Sequence, residues 1–353
     1  MEDIIAPALE NLVLYNDSKE LGYYIDFLET WSAPALSNLV TVHVSPSPLS
    51  PILALTSLDL MLSLRTTYPS YLFDILNKMH GLTDLSIFFD DHRGLRTPLE
   101  RSIVLQCSQL HSVLRLRITC TIVLGIGSYY STQLESSIFR QLCFPNAHDL
   151  NVTFIGEFDD GDSPEPRFDL SEVAGRVFHR EDYDDKGKLK PRQFPRVSCL
   201  QININVANEN QVWEKYFPRG VAVLPIPLQI FPSLKELRVH CSTFLDLSTH
   251  YLGRPDQPAL RRVELNTPKL ESSFRDSGPP LVYWRWIRAL AIALTAQCVW
   301  GEIEQLTLIE RVFETYSDGT GFRKRDVKME LSRNMIFVGV DLDNLYIGDE
   351  SNN

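Results

Sequence analysis

The stretch Phe231 to Cys241, F-P-S-L-K-E-L-R-V-H-C, constrains the fold more than any other, because it recurs. After a Pro-led lead-in, Leu234, Leu237 and Val239 follow at steps of three and two. The last two obey strand period and point to one face, while the first packs beneath them on the incoming turn. One such strand cannot bury its apolar side alone, so the pattern has meaning only where neighbours stack on it.

The neighbours are present. A-L-E-N-L-V-L ends at Leu14 and A-L-S-N-L-V-T-V-H-V ends at Val44, with Leu9 to Leu36 and Leu12 to Leu39 both 27 residues apart. Leu55, Leu58 and Leu60 restate the pattern, and Leu82, Leu85 and Ile87 do so again 27 residues on. That interval lies within the range of about 20–29 residues for leucine-rich repeats. Leu114 to Ile122 alternates apolar and polar residues, as do Leu150 to Phe154 and Leu200 to Val206, which is strand rather than helix periodicity. P-A-L-R-R-V-E-L at Pro258 adds a unit, and I-E-Q-L-T-L at Ile303 adds another.

Helical patterns fall between the strands at Leu21 to Trp31, Tyr71 to Met79 and Ser131 to Leu142. The expected fold is α/β: an irregular leucine-rich-repeat solenoid with a mainly parallel sheet on the concave face and helices and loops on the convex face. Residues 1–280 form the solenoid, interrupted by an acidic, proline-bearing insertion at about 156–191 with a short ordered segment near Leu170 to Phe178. Residues 281–353 form a capping helix, Leu281 to Trp300, and closing strands at Ile303 to Leu308, N-M-I-F-V-G-V and D-N-L-Y-I.

These units resemble the degenerate leucine-rich repeats of large fungal families, many of which carry an N-terminal F-box. The resemblance runs from about Leu9 to Leu308. It rests on the F-P-x-L-x-x-L-x-L lead-ins at Phe194, Phe231 and, more loosely, Phe144, and on the P-A-L lead-ins at Pro258, Pro34 and Pro7. In such proteins the F-box recruits a cullin-type ubiquitin ligase while the repeats hold a substrate. Here the first repeat begins near Leu9, and no L-P-x-E-I-L opening of an F-box is seen.

Chemistry-bearing motifs are few. There is no P-loop, no G-x-S-x-G and no H-E-x-x-H. Asp182 to Gln193 begins like a calcium loop, but Lys186 stands where an oxygen ligand belongs, Gln193 replaces the closing glutamate and Pro191 breaks the exit helix. Gly125-Ile-Gly127 is half of a dinucleotide fingerprint. Six cysteines without a C-x-x-C pair read as free thiols. No catalytic residue, cofactor or metal is therefore assigned.

A net charge of -11 and a pI near 5.3 argue against nucleic acid as the main partner. An acidic start without a signal sequence, and no apolar run of about 18 residues, point to a cytoplasmic or nuclear protein rather than a membrane one.

The function expected is that of a non-enzymatic protein-interaction scaffold, monomeric outside a complex, presenting the outward strand residues to an acidic or extended protein segment. Those residues are Thr41 and His43, Asp59 and Met61, Ser86 and Phe88, Arg115 and Arg117, Asn151 and Thr153. They continue with Gln201, Asn203, Asn205, Glu236, Arg238, His240, Glu264 and Asn266. Arginines beside an aromatic residue suit an interface. Two alternatives accompany this reading: a ubiquitin-ligase substrate receptor whose F-box is missing from the chain, and a metal-dependent hydrolase using the acids between Asp159 and Asp185.

Overall fold

The computed structural model describes residues 4–15, 31–44, 54–62, 69–89, 108–124, 138–139, 141–158, 167–178, 192–207, 221–252, 256–269, 282–315 and 322–331. In chain order the strands are β1 (Ile4–Ile5), β2 (Asn11–Tyr15), β3 (Trp31–Ser32), β4 (Asn38–Val42), β5 (Ser57–Leu62), β6 (Asp84–Phe89), β7 (Ser108–Gln109), β8 (Arg115–Leu124) and β9 (Leu142–Cys143). They continue with β10 (Asp149–Phe158), β11 (Arg167–Asp169), β12 (Cys199–Ala207), β13 (Val221–Pro225), β14 (Glu236–Cys241), β15 (Phe244–Ser248), β16 (Arg262–Lys269), β17 (Gln305–Thr315) and β18 (Phe322–Leu331). The helices of a full turn or more are α1 (Pro69–Lys78), α2 (Ser171–Phe178) and α3 (Val282–Ala296).

One sheet of 11 strands forms the spine, in the order β2-β4-β5-β6-β8-β10-β12-β14-β16-β17-β18. Every pair in it is parallel except the last, β17 with β18. The repeating leucines lie in register: Leu12, Leu39, Leu58, Leu85, Leu116, Leu150, Leu200, Leu237, Val263 and Leu306 are successive partners. From Leu39 onward all of them are at most 4% exposed. The fold is thus α/β, a leucine-rich solenoid whose parallel sheet stacks one strand per repeat.

The lead-in has a specific job. In F-P-S-L the Leu234 N–H donates to the Phe231 carbonyl at 3.0 Å, and in F-P-N-A the Ala147 N–H donates to Phe144 at 3.3 Å. The A-P-A-L units do the same, Leu9 to Ala6 at 3.2 Å and Leu36 to Ala33 at 3.1 Å. These are turns in which proline occupies the second position, where its fixed φ suits the bend. Where proline is absent, Gly81 precedes Leu82 in the equivalent turn, whose N–H reaches Met79.

Ahead of each proline the aromatic ring turns inward. Phe144, Phe194 and Phe231 are 0% exposed and stack in file, with centroids 5.9 Å and 5.6 Å apart, and Phe178 of α2 meets Phe231 edge-on at 5.8 Å. The opposite wall consists of short parallel ladders, β1 with β3, β7 with β9, and β11-β13-β15. Helix α3 packs on β15 and buries Trp286, Ile287, Leu290, Ala291 and Leu294 along one stripe. Among the described residues no helix is long and apolar enough to cross a membrane.

Several elements depart from the sequence expectation. Within the acidic stretch the ordered segment expected near Leu170 to Phe178 is present as α2, which buries Val173, Ala174, Val177 and Phe178 beside Leu170, but it is joined by β11, paired with β13, so residues 167–178 are part of the opposite wall. The proline-bearing connection before Phe231 contains strand β13, and β15 was not anticipated. The sheet is closed by β18, a charged segment, at a position the sequence did not single out. The closing strands expected near residues 334–347, the helical segment 21–30, the half-fingerprint at Gly125 and most of the Asp182 loop lie outside the described residues. Of that loop, Gln193 is buried and donates to the Phe139 carbonyl at 3.0 Å, a structural role.

The phenylalanine file is expected to carry much of the stability. Phe194→Ala should destabilise the protein by about 3–5 kcal/mol, since it removes a fully buried ring flanked by two others. Phe88→Ala, on the opposite side of the sheet, should lose no more than about 1 kcal/mol. Urea unfolding followed by circular dichroism measures both.

Candidate protein-binding face

Because side chains alternate along each strand, the spine has a second face carrying in-register rows of outward residues. The first row begins Asn11, Asn38, Ser57, Asp84, Arg115, Asp149, Cys199, Glu236, Arg262. The second runs Val13, Val40, Asp59, Ser86, Arg117, Asn151, Gln201, Arg238, Glu264. The third runs Tyr15, Val42, Met61, Phe88, Thr119, Thr153, Asn203, His240, Asn266. Asn205 lies one step further along β12, opposite Ile155.

Sixteen of the eighteen residues expected to point outward therefore occupy this face, and the exceptions are Thr41 and His43. In β4 it is Val40 and Val42 that point outward, whereas Thr41 pairs with Leu14 and Leu60 and is 0% exposed. His43 lies past the strand end with φ 54°, partly buried, its N–H donating to the Met61 carbonyl at 3.0 Å. The sequence assignment of Thr41 and His43 to the outward rows is corrected accordingly: Leu39 anchors the phase and places Thr41 inside.

The arginines are not equivalent. Arg115 grips Asp84 of the adjacent strand with two nitrogens, at 2.5 Å and 2.8 Å. That hydrogen bonding, followed by Coulomb attraction, raises the guanidinium further above its usual range. Arg238 donates through Nε and Nη2 to one oxygen of Glu236, at 2.9 Å and 2.6 Å, and is raised for the same first cause. Arg117 makes no ion pair among the described residues. Half-exposed pairs of this kind add little stability but fix where charge is presented.

Between the arginines lies an amide network. Asn203 donates through Nδ2 to Asn151 Oδ1 at 2.9 Å and to Thr153 Oγ1 at 3.3 Å, and it accepts from Gln201 Nε2 at 3.1 Å. Beyond it, His240 Nε2 lies 3.0 Å from Glu264 Oε1. Apart from the Gln201–Asn203 bond within β12, these contacts join residues 24 to 52 positions apart in sequence and become visible only once the register is known.

Several residues of the face were not singled out in the sequence, among them Val13, Tyr15, Val40, Val42, Asp84 and Cys199. Cys199 lies in the first row between Asp149 and Glu236, half-buried. Burial pushes its thiol pKa up, Glu236 and Asp149 push the same way, and Arg238 opposes them. The signal that could have found it was its place immediately before the first inward residue of a repeat. Among the described residues no group of three or more His, Cys, Asp or Glu side chains gathers as a metal site.

No family profile and no curated protein sequence matches the chain. Among solved structures it is similar to one described as "Crystal structure of TLR13-ssRNA13 complex", with 15% identity and a TM-score of 0.21, over 75% of this chain and 46% of that one. The chain thus spans less than half the length of that neighbour. The fold class rests on the sheet itself.

The thiols should separate by alkylation. Cys298 is exposed and should react with iodoacetamide first, whereas buried Cys120, Cys143 and Cys241 should be protected until unfolding. A raised pKa leaves less thiolate at neutral pH, so half-buried Cys199 should react more slowly than exposed Cys298. Glu236→Gln should accelerate Cys199. Peptide mapping by mass spectrometry reads each site.

Proposed function

We propose that the protein is a non-enzymatic interaction scaffold that holds a protein segment along the outward face of its spine. The single observation that supports this reading most is the continuity of the face: rows of outward side chains stay in register across the parallel strands, alternating with a fully packed core. A surface preorganised in this way binds without folding first, which lowers the entropic penalty of association.

On this proposal the binding residues are Phe88, Arg115, Arg117, Asn151, Gln201, Asn203, Asn205, Glu236, Arg238, His240 and Glu264, with His43 at the rim. The internal pairing of Arg115 and Arg238 modifies the expected partner. With both cations already neutralised locally, the face suits a mixed segment better than a uniformly acidic one. The chain divides, on the same proposal, into the solenoid of residues 1–280 with its insertion at about 156–191 and a C-terminal cap of residues 281–353. It acts as a monomer in the cytoplasm or nucleus.

The resemblance of the repeats to fungal F-box proteins extends the proposal. Joined to an F-box, this face would be the substrate-holding surface of a cullin-type ubiquitin ligase. An in-frame F-box in the genomic sequence upstream of the start codon is the observation that tests that extension.

Affinity capture with the intact chain tests the scaffold reading. Changing Arg115, Arg117 and Arg238 together to Glu should deplete the captured partners about tenfold or more. Arg285→Glu and Arg288→Glu on the exposed side of α3 should leave them in place. An unchanged partner set in the triple variant would refute the proposal.

A further inference from the structure

The outward face is not uniform along its length. At its β2 end, Val13 and Val40 in the second row and Tyr15, Val42, Met61 and Phe88 in the third are apolar. Val13 is 64% and Tyr15 65% exposed. From β8 to β16 the same two rows are polar, and much of that stretch is tied up by the contacts among Asn151, Gln201, Asn203, Arg238 and His240.

Two charges flank the apolar strip, and neither has an ion-pair partner among the described residues: Asp59 in the second row of β5 and Arg117 in the second row of β8. Arg117 sits beside Ser86, one row and two residues from Phe88 on the neighbouring strand. Asp84 and Asp149, the carboxylates one row away on the two neighbouring strands, both stand opposite Arg115, which grips Asp84.

From this we infer that the strip from Tyr15 to Phe88 takes an extended peptide with apolar side chains at alternate positions, ending in a carboxylate that Arg117 receives. The inference rests on the scaffold reading and names the partner chemistry for one end of its face. Spacing supports it. Strands about 4.8 Å apart place Tyr15 and Phe88, three steps apart, at about 14 Å, and β8 one step further at about 19 Å. In an extended chain, residues i, i+2 and i+4 span about 13 Å on one side and residue i+6 falls near 20 Å. Three apolar residues therefore cover the strip, and the fourth position of the series reaches Arg117.

Charge sets the direction. A carboxylate placed at the other end of the strip would meet no cation among the described residues, whereas at β8 it meets a guanidinium able to donate to it in bidentate fashion. Phe88, a rigid aromatic next to that arginine, is the expected anchor.

Selection of a random 12-residue peptide phage library on the immobilised full-length chain tests this, with enriched peptides then measured by fluorescence anisotropy. Enrichment of apolar residues at alternate positions followed by Asp or Glu is expected. Phe88→Asp should weaken those peptides about tenfold or more. Arg117→Glu, at an exposed position that does not threaten folding, should do the same and should switch the selected terminal residue from acidic to Lys or Arg.

Failure to enrich any motif, or an unchanged motif in Arg117→Glu, overturns the inference. Peptides lost on Arg238→Glu but kept by Phe88→Asp and Arg117→Glu would overturn it while leaving the scaffold reading standing. Peptides insensitive to all three substitutions would remove both.

Discussion

The structure depends on one hydrogen-bond device repeated at every junction of the parallel spine. The two N–H groups that lead into each strand donate together to a single carbonyl of the preceding repeat. Ser37 and Asn38 share Glu10, Thr56 and Ser57 share Ser37, Thr83 and Asp84 share Thr56, and Leu114 and Arg115 share Thr83. The series continues through Leu114, His148, Ser198, Lys235 and Arg261 to Glu304 and Gln305. Satisfied backbone groups are obligatory in a buried wall, and here one acceptor satisfies two donors while setting the stagger. Because the device uses only the turn, it is indifferent to what lies between turns. Linked positions are 19 residues apart at Ser37 and Thr56 but 50 apart at His148 and Ser198, with no change in register.

That indifference explains which parts of the fold were legible in the sequence. Leu237 and Val239 could be placed because strand period and the fixed step from Leu234 survive any change in the connecting length. The F-P-x-L turn was legible because proline has few conformational options. Thr41 was misplaced because T-V-H-V alternates equally well in either phase, and a hydroxyl at an inward position runs against its polarity. Strand β13 was missed because Val221 to Pro225 ends in proline and reads as a loop, yet its ladder is short and the proline sits at its final residue. Strand β18 was missed because F-R-K-R-D-V-K-M-E-L looks like a solvated charge run. It needs only one partner, β17, and its antiparallel pairing has no counterpart in the repeats.

Of the candidate face, the rows were readable but the chemistry was not. An arginine in the sequence is a free cation until its neighbour is known, and apart from the Arg238–Glu236 pair within β14 the neighbours here come from other repeats. Asp84 lies 31 residues before Arg115, and Glu264 lies 24 after His240. Register turned a mixed arginine and amide surface into one whose charges are largely paired with one another, with polarity graded from apolar at β2 to hydrogen-bonded at β16. The thiol pKa of Cys199 is raised first by burial, and the two carboxylates that flank it across strands add to that shift.

The antiparallel last strand also gives the molecule a direction as a building block. A sheet of parallel strands is translationally symmetric, so its two edges are complementary and copies could in principle add end to end without closing, the geometry of a fibre. Here β18 reverses the strand sense and carries Arg323, Lys324, Arg325, Asp326, Lys328 and Glu330 where β2 carries no charge at all. The two ends are no longer copies of one another's partners, so head-to-tail growth lacks a matching pair of edges. Among the described residues, the terminal reversal leaves the sheet with one parallel edge, at β2, and one antiparallel edge, at β18.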